Sequence, residues 1–495
     1  MEYYIIVARM RESTEIKITT QPTIGWQIGF TDLFKINIIS IFRRIRSGGA
    51  IKFMNAIEKR IVQIIDERRQ DIIDFAEDIF SHPELGFKER RTAELIANRF
   101  ESLGLYTRKQ LAITGVKGYL KSCDQKDKGS EINIDVIGEM DAVRSPHHPK
   151  ADSETGAAHS CGHHAQLAAM FGAAIALSNP EVAGLLDGNV TFFAVPAEEF
   201  GEIEFKISLR KKGLIEFLGG KSELIRLGEF DDIDIALTHH LLFGETEFPV
   251  VVGSGSTNGF VSKLVRYIGK ESHAAASPHE GINALNAAVL GLSALNFQRE
   301  TFKDSDCVRL HPIITKGGDL VNVIPGEAVI EILVRARTLE AILDANAKAT
   351  RAFEAGAYAV GARVEITDLP GYLPRIAETT TSPFLHAAQQ LVGMEKVKQR
   401  SPLEHGAFSS DVGDISHLLP VFSFSTGGTV GESHSANFAV VDPEMAYILP
   451  AKIMAITVYN LLKDGASKAR EIKNDFKPVL TKEEYIDYVN SIIKS

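Results

Sequence analysis

Two short motifs place metal-ligating and proton-transferring side chains close together in the sequence. Cys161 and His163 lie in a Cys-Gly-His-His sequence, and Glu198 and Glu199 end a Pro-Ala-Glu-Glu sequence. Thiolate, imidazole and carboxylate groups are the ligands expected for zinc or a similar transition ion. One glutamate could bind metal while its neighbour moves protons, because adjacent side chains leave a turn in different directions. The alternative is a buried cysteine and surface charges.

Three further histidines follow apolar segments of the chain. His239 and His240 come after the apolar segment 233–237, and His434 lies in the Gly-rich loop 427–434. Any one of them alone would more often be structural than a ligand. Their shared placement after predicted strands favours a common site.

Other polar residues near the motifs are open to more than one interpretation. Asp141 ends another apolar segment and could orient a ligand imidazole, or it could cap a turn. His147 and His148 lie in a proline-flanked polar loop and are predicted to be at the surface. Spacing alone gives no role to Asp152 or Asp411.

The elements that must position these residues alternate between strand and helix patterns over 55–255. Segments 132–137 and 190–195 are typical of buried strands, and 164–178 favours a helix between them. This alternation predicts an α/β fold with a mostly parallel sheet flanked by helices. Open sheets of this kind place their sites at the carboxyl ends of the strands, where both motifs would lie.

A second pattern begins after a Gly-Ser-Gly-Ser sequence that ends at residue 256. The predicted elements are strand 260–269, helix 281–298, strands 307–316 and 327–337, helix 339–361 and strand 363–369. This β-α-β-β-α-β order is that of a ferredoxin-like α+β domain. We therefore expect residues 257–372 to be inserted between two parts, 54–256 and 373–495, of the domain that carries the motifs.

Residues 1–53 differ from the rest of the chain. They show no sustained amphipathic period, and a helical period begins only after Met54 with Ile57, Ile61 and Ile64. We expect residues 1–53 to be a leader, either poorly ordered or the result of an over-called start. The alternative is an additional packed strand or helix.

Composition argues against several classes of protein. A formal net charge of −10 argues against nucleic acid as the main partner. No apolar run reaches the ~18–20 residues needed to span a bilayer, so no membrane partner is expected. Three scattered cysteines do not form the framework of a secreted disulfide protein. We therefore expect a cytoplasmic protein.

The order of motifs along about residues 70–465 is similar to that of a known family. The sequences HPELGF, GEMDA, CGH, PAEE, SHAA and NVIP occur in this order and are followed by His434. The chain resembles the aminoacylase/carboxypeptidase family of two-metal amidohydrolases. Within it, the resemblance is to the subgroup that contains hippurate hydrolase, the plant indole-acetyl-amino-acid hydrolases and p-aminobenzoyl-glutamate hydrolase.

The resemblance implies a role for each candidate residue. It makes Glu198 the general base, and it favours His240 over His239 because His240 lies six residues after Asp234. His273 would reach into the partner's site and polarise the scissile carbonyl. The resemblance also implies that the substrate carboxylate is bound by Asn322 and Arg335. The metal ligands that it implies are Cys161, His163, Glu199, His240 and His434.

The resemblance also implies a zinc-exopeptidase-like fold, with residues 257–372 as a lid and dimerisation domain of a homodimer. Each protomer would bind two divalent ions, with Zn²⁺ expected and Mn²⁺ or Co²⁺ as alternatives. Glu198 would activate a water between them to hydrolyse the amide of an N-acyl or aminoacyl amino acid with a free carboxylate. The alternatives are a dipeptidase or carboxypeptidase with the same chemistry, and a catalytically silent metal-binding scaffold.

Two departures from the subgroup bear on specificity. His164 stands where the subgroup commonly has Asp or Asn, and the segment Glu202–Phe217 looks inserted. Both are expected to lie beside the pocket. The resemblance therefore does not identify the acyl or amine group of the substrate.

Overall fold

The computed structural model describes residues 4–9, 17–22, 54–121 and 131–493. The chain divides into two compact units, residues 1–63 and 64–495. In the first unit, strands Tyr4–Arg9 and Lys17–Pro22 pair antiparallel. The rest of the predicted leader lies outside the described residues, and the domain boundaries inferred from the sequence stay predictions.

A mixed eight-stranded sheet forms the centre of the larger unit. Four adjacent strands in its middle are parallel, antiparallel pairs flank them on both sides, and the pair at one edge is again parallel. The predicted α/β fold is therefore confirmed, and the carboxyl ends of the parallel strands meet at one edge. In spatial order the strands are Val397–Gln399, Val250–Val252, Val421–Thr426, Ile235–Leu241, Asn133–Glu139, Asn189–Val195, Gly115–Tyr119 and Tyr106–Leu111.

Helices cover both faces of this sheet. The helix His163–Leu177 is buried along its whole length, as expected for a helix that is apolar on all sides. Gly138 and Gly172 allow close packing there, because an added Cβ would lie 2.9 Å from Leu167 Cδ2 and 2.6 Å from Ala451 Cβ, respectively. The described α-helices are Ala56–Glu67, Arg69–Ser81, Arg90–Ser102, His163–Leu177, Pro180–Ala183, Ile203–Lys211, Gly220–Leu227, Ala284–Phe297, Leu339–Val360, Phe384–Val392, Val412–Ser416, Leu449–Asp475 and Lys482–Ile493.

One helical stretch, Glu444–Asp475, is long and apolar enough to cross a membrane by length and composition. However, 89% of its most apolar window is buried inside the fold, and the backbone is non-helical from Lys463 to Ala466. Burial of this kind is what a core helix requires, so the stretch is weak evidence for a membrane span.

A second, four-stranded antiparallel sheet has the order Arg309–Lys316, Glu327–Ala336, Gly259–Ile268 and Arg363–Pro370. The helices Ala284–Phe297 and Leu339–Val360 pack against it around Phe353 and Tyr267. This is the β-α-β-β-α-β arrangement predicted for this part of the chain. Side chains of Glu327–Ala336 alternate between buried and half-buried positions, because successive residues of a strand face opposite sides.

Candidate metal centre and active site

The turn that carries the two adjacent glutamates is held by buried groups on both sides. Ala197 has a φ of +48°, and its N–H donates to Oε1 of Glu89 at 2.8 Å. The N–H of Glu199 donates to Oδ2 of Asp141 at 2.8 Å. A positive φ is unfavourable for a residue with a side chain. These contacts therefore fix a turn from which Glu198 and Glu199 leave in different directions.

Gly162 allows Cys161 and His163 to face the same space. It has a φ of +87°, and an added Cβ would lie 2.8 Å from Cδ1 of Leu241, so no other residue fits there without strain. Nδ1 of His163 lies 2.8 Å from the carbonyl oxygen of Asp141. Because a carbonyl only accepts, Nδ1 carries the proton and Nε2 is available as a ligand.

Asp141 orients the imidazole in a different way from the one its sequence position suggested. Its carbonyl, rather than its carboxylate, accepts the hydrogen bond from His163. The carboxylate instead holds the backbone of Glu199, and its Oδ1 lies 3.4 Å from Nδ1 of His163. Asp141 therefore connects the two motifs.

His239 and His240 belong to the strand Ile235–Leu241, rather than to a loop after it, so their side chains point to opposite faces. Nε2 of His240 lies 3.8 Å from Sγ of Cys161. Nε2 of His239 is on the other face, 2.9 Å from Oγ1 of Thr426. Of the pair, only His240 reaches the candidate metal centre.

The Gly-rich loop brings His434 to the same place. Its backbone has a φ of +60°, and its N–H donates to the carbonyl of Ser160 at 2.9 Å. Nε2 of His434 lies 3.1 Å from Oε1 of Glu199. That oxygen is buried and faces an imidazole nitrogen, which places it where a cation could bind.

Among the described residues, three groups of side chains have ligand atoms within 4.8 Å of one another. Cys161 and His163 each belong to two of these groups, so the groups form one connected set of candidate ligands. One thiolate with imidazoles and carboxylates suits zinc or a similar divalent transition ion, and the donor set therefore fits the metals predicted from the sequence. The groups are Cys161–His163–His240, Cys161–Glu199–His434 and Glu139–His163–Glu198.

Before any cation binds, electrostatics in the metal centre favour deprotonation of the Cys161 sulfur and protonation of the Glu198 carboxyl group. Burial alone would raise the pKa of Cys161, but the neighbouring imidazoles outweigh it and the pKa lies well below its usual range. Burial, helped by Glu139 and Glu199, raises the pKa of Glu198. Hydrogen bonds to Cys161 and Glu199 raise the pKa of His434 to about 10.

A buried ion network beneath the metal centre was not foreseen from the sequence. Nζ of Lys221 lies 2.6 Å from Oε1 of Glu139 and 2.5 Å from Oδ1 of Asp411. Oε2 of Glu139 accepts from Nε2 of Gln166 at 2.6 Å and lies 3.2 Å from Nε2 of His163. Glu139 ends the strand Asn133–Glu139, a position where site residues are expected in this type of sheet. Lys221 and Asp411 are 190 residues apart, so no local sequence pattern marks the contact between them.

The residues predicted to contact substrate are divided between two ends of the α+β sheet. His273 and Asn322 lie side by side and exposed, with the N–H of Ala274 bonded to the carbonyl of Asn322 at 2.9 Å. Arg335 lies over the ring of Phe260, 5.7 Å from its centroid, and interacts electrostatically with Glu199. At ~3.3 Å per residue, the strand between them separates Asn322 from Arg335 by roughly 25 Å or more.

Two expectations about other residues were wrong. His148 is buried, with Nε2 2.9 Å from the carbonyl of Phe438, although His147 is exposed as predicted. His164 does not line the metal centre, because it is buried and stacked on Phe80 with ring centroids 4.6 Å apart. A one-residue step along a helix turns a side chain by ~100°, so His163 and His164 face different surroundings.

Comparison with known proteins finds several relatives of this chain. A human Xaa-Arg dipeptidase is 26% identical over 472 residues, covering 89% of this chain and 98% of its own. One component of the p-aminobenzoyl-glutamate hydrolase of Escherichia coli (strain K12) is 30% identical over 290 residues, which cover 57% of this chain and 54% of the relative. A Bacillus subtilis structure, described as a dinuclear metal-binding peptidase of family M20, has a TM-score of 0.55 at 23% identity and covers 80% of this chain and 99% of its own.

The model of the Peptidase family M20/M25/M40 matches residues 136–454. This range contains every candidate ligand, the Pro-Ala-Glu-Glu turn and the α+β sheet. The family resemblance inferred from the motifs is thereby confirmed. The chain belongs to peptidase family M20/M25/M40 and is a metal-dependent hydrolase.

Proposed function

We propose that the protein hydrolyses the amide bond of N-acyl amino acids that carry a free carboxylate, with two Zn²⁺ ions per chain. The observation that carries the proposal is Glu198, a buried carboxyl group next to five ligand-type side chains. Its Oε2 lies 3.9 Å from Nε2 of His163, and its carbonyl accepts a hydrogen bond from the hydroxyl of Tyr372. A silent metal-binding scaffold would not need such a base.

Glu198 is the proton carrier in this proposal. The ions held by Cys161, His163, Glu199, His240 and His434 would supply Lewis acidity to the scissile carbonyl and lower the pKa of water. Glu198 accepts a proton from the attacking water and delivers it to the leaving amine, a contribution of ~10²–10⁴ in rate. Its raised pKa before cations bind suits a group that must hold a proton during the reaction.

Arg335 would bind the substrate carboxylate through paired hydrogen bonds from its guanidinium. Its Nε is buried and has no hydrogen-bond partner among the described residues. Asn322 and His273 of the same chain are too far away to share that substrate. We therefore propose a homodimer in which the partner supplies these two groups to the site.

The edge strand Arg309–Lys316 supports a dimer through the α+β sheet. It lies at the end of the strand order, and its side chains Ile313 and Ile314 are 51% and 43% exposed. Leu320 and Val321, beside Asn322, are also exposed. An open edge with apolar side chains is suited to pairing with another chain.

A second candidate is a dipeptidase with the same chemistry. It is favoured by the human Xaa-Arg dipeptidase, whose sequence aligns over nearly its whole length. The two functions differ at the acyl side, where a dipeptide carries a free amino group. We also propose a cytoplasmic location, because a reducing compartment favours free thiols such as that of Cys161.

Parallel hydrolysis of matched N-acyl amino acids and dipeptides, including Xaa-Arg dipeptides, tests the proposal when metal content is measured on the same sample. The proposal predicts that an N-acyl amino acid has the highest kcat/KM and that two zinc ions are bound per chain. A preference for dipeptides would select the second candidate. Hydrolysis of neither class by the zinc-loaded protein would reject both.

A further inference from the structure

Lys206 is a buried lysine in the segment Glu202–Phe217, which looks inserted relative to the subgroup. It lies in the helix Ile203–Lys211 and is 1% exposed. Its Nζ donates to the carbonyl oxygen of Glu199 at 2.8 Å. The ammonium also lies over the rings of Phe87 and Phe200, 5.5 and 5.3 Å from their centroids.

The burial of Lys206 is not explained by a gain in stability. Within the described part of the chain, no carboxylate lies within salt-bridge distance of its ammonium. The carboxylates of Asp141, Glu89, Asp411 and Glu199 attract the ammonium only from beyond salt-bridge distance. A buried charge without an ion-pair partner is costly, and the hydrogen bond of this one goes to the peptide that carries Glu199.

The inserted segment also contacts the α+β sheet. Ile203 of the segment forms an apolar cluster with Leu218, which directly follows the segment, and with Leu369, near the end of the last strand of that sheet. Phe200 packs edge to face against Phe260 of the strand Gly259–Ile268 and against Tyr372, with ring centroids 5.0 and 5.6 Å apart.

The backbone carbonyls of Glu198 and Glu199 each accept a hydrogen bond from a side chain near Phe200. The hydroxyl of Tyr372 donates to the carbonyl of Glu198, and Lys206 donates to that of Glu199. The aromatic side chain of Phe200 contacts both donor side chains. Peptide groups held in this way cannot rotate without breaking a buried hydrogen bond.

We propose that Lys206 is a positioning residue for the Glu198–Glu199 turn, and that the segment Glu202–Phe217 holds this turn against the α+β sheet. Lys206 acts through the peptide of Glu199 rather than on the substrate. It sets the direction of the Glu199 carboxylate toward His434 and, through the same turn, that of Glu198. The inference rests on the proposed roles of Glu198 and Glu199.

The test compares Lys206→Met with Lys211→Met, an exposed lysine of the same helix. Metal affinity is measured by zinc titration against a competing chelator. The values of kcat and KM are measured with the best substrate of the panel, and stability is measured by thermal unfolding of the metal-free protein. We expect Lys206→Met to lower zinc affinity or kcat by ~10–100-fold, as is typical when a group behind a ligand is removed.

The pattern of effects separates positioning from a structural role. In Lys206→Met, KM should change by less than about threefold, because Arg335, which would bind the substrate carboxylate, is unchanged. The thermal midpoint of the metal-free protein should not fall, because a costly buried charge is removed. Lys206→Gln, which keeps an uncharged donor, should recover part of the lost affinity or kcat. Lys211→Met should resemble the wild type in every measurement.

The inference is overturned if zinc affinity and kcat of Lys206→Met both stay within about twofold of the wild type. It is also overturned if Lys206→Met and Lys206→Gln both fail to fold while Lys211→Met folds, since Lys206 would then be structural. If the wild type hydrolyses no substrate of the panel, the proposed function fails alone, because the zinc titration still decides the role of Lys206.

Discussion

Glu198 and Glu199 are adjacent in sequence but face different partners across the metal centre. Oε2 of Glu198 lies 3.9 Å from Nε2 of His163, whereas Oε1 of Glu199 lies 3.1 Å from Nε2 of His434. The backbone N–H of Glu199 is also fixed by Asp141. Both carboxylates lie among candidate ligand atoms, in different groups, so the assignment of Glu198 as the base stays a prediction.

The replacement Glu198→Gln is expected to abolish hydrolysis and to leave metal content nearly unchanged. The amide has the size of the carboxyl group but cannot accept the proton, so kcat should fall by at least ~10²-fold. Steady-state kinetics and metal analysis of the same sample check this. Loss of metal would mean that the roles of Glu198 and Glu199 are exchanged, and retained activity would remove Glu198 from the mechanism.

The replacement His240→Ala should lower zinc binding with little effect on folding of the metal-free protein, whereas His239→Ala should do the reverse. His239 is buried and bonded to Thr426, so its removal leaves a buried hydroxyl without its partner at a cost of ~1–3 kcal/mol. Zinc stoichiometry and thermal unfolding of both variants test the assignment. Full zinc binding by His240→Ala would contradict it.

Mixing inactive Glu198→Gln protomers with inactive His273→Ala protomers should restore part of the activity. In the mixed dimer, one site takes Glu198 from one chain and His273 from the other, so one of two sites is complete. Exchange of protomers is verified with differently tagged chains. If exchange occurs and no activity returns, His273 does not act across the interface.

Zinc affinity should rise with pH over about pH 6 to 9, with release of protons on binding. Hydrogen bonds to Cys161 and Glu199 raise the pKa of His434 to about 10 in the metal-free protein, so a proton must leave before its Nε2 can bind metal. Below that pKa, affinity falls as pH falls, by up to about tenfold per pH unit for each proton released. Calorimetry in buffers of different ionisation enthalpy counts the protons, and an affinity independent of pH would contradict the expectation.

The sequence predicted those parts of the molecule whose contacts are local or periodic. The strand at 190–195 and the helix at 164–178 were identified to within two residues, because nearly unbroken apolar runs directly reflect their complete burial. The choice of His240 over His239 came from the family spacing, and strand alternation now gives its physical reason.

Contacts between residues far apart in the chain were not predicted from the sequence. Lys221 and Asp411 are 190 residues apart, and neither stands in a recognisable pattern. The separation of Asn322 from Arg335 was also missed, because a spacing of thirteen residues in sequence becomes a long distance when a strand lies between them. Sequence order therefore did not reveal that Asn322 and Arg335 of one chain cannot grip the same carboxylate.

The shared sulfur of Cys161 has a consequence for the lifetime of the protein. The neighbouring imidazoles hold the pKa of the Cys161 thiol well below its usual range, and a low thiol pKa makes a cysteine more susceptible to oxidants. Oxidation beyond the sulfenic acid is irreversible for most proteins, and here it would alter a side chain that belongs to two of the candidate ligand groups. A metal ion bound to Cys161 would protect the sulfur, so we expect metal binding and oxidation to compete for this side chain.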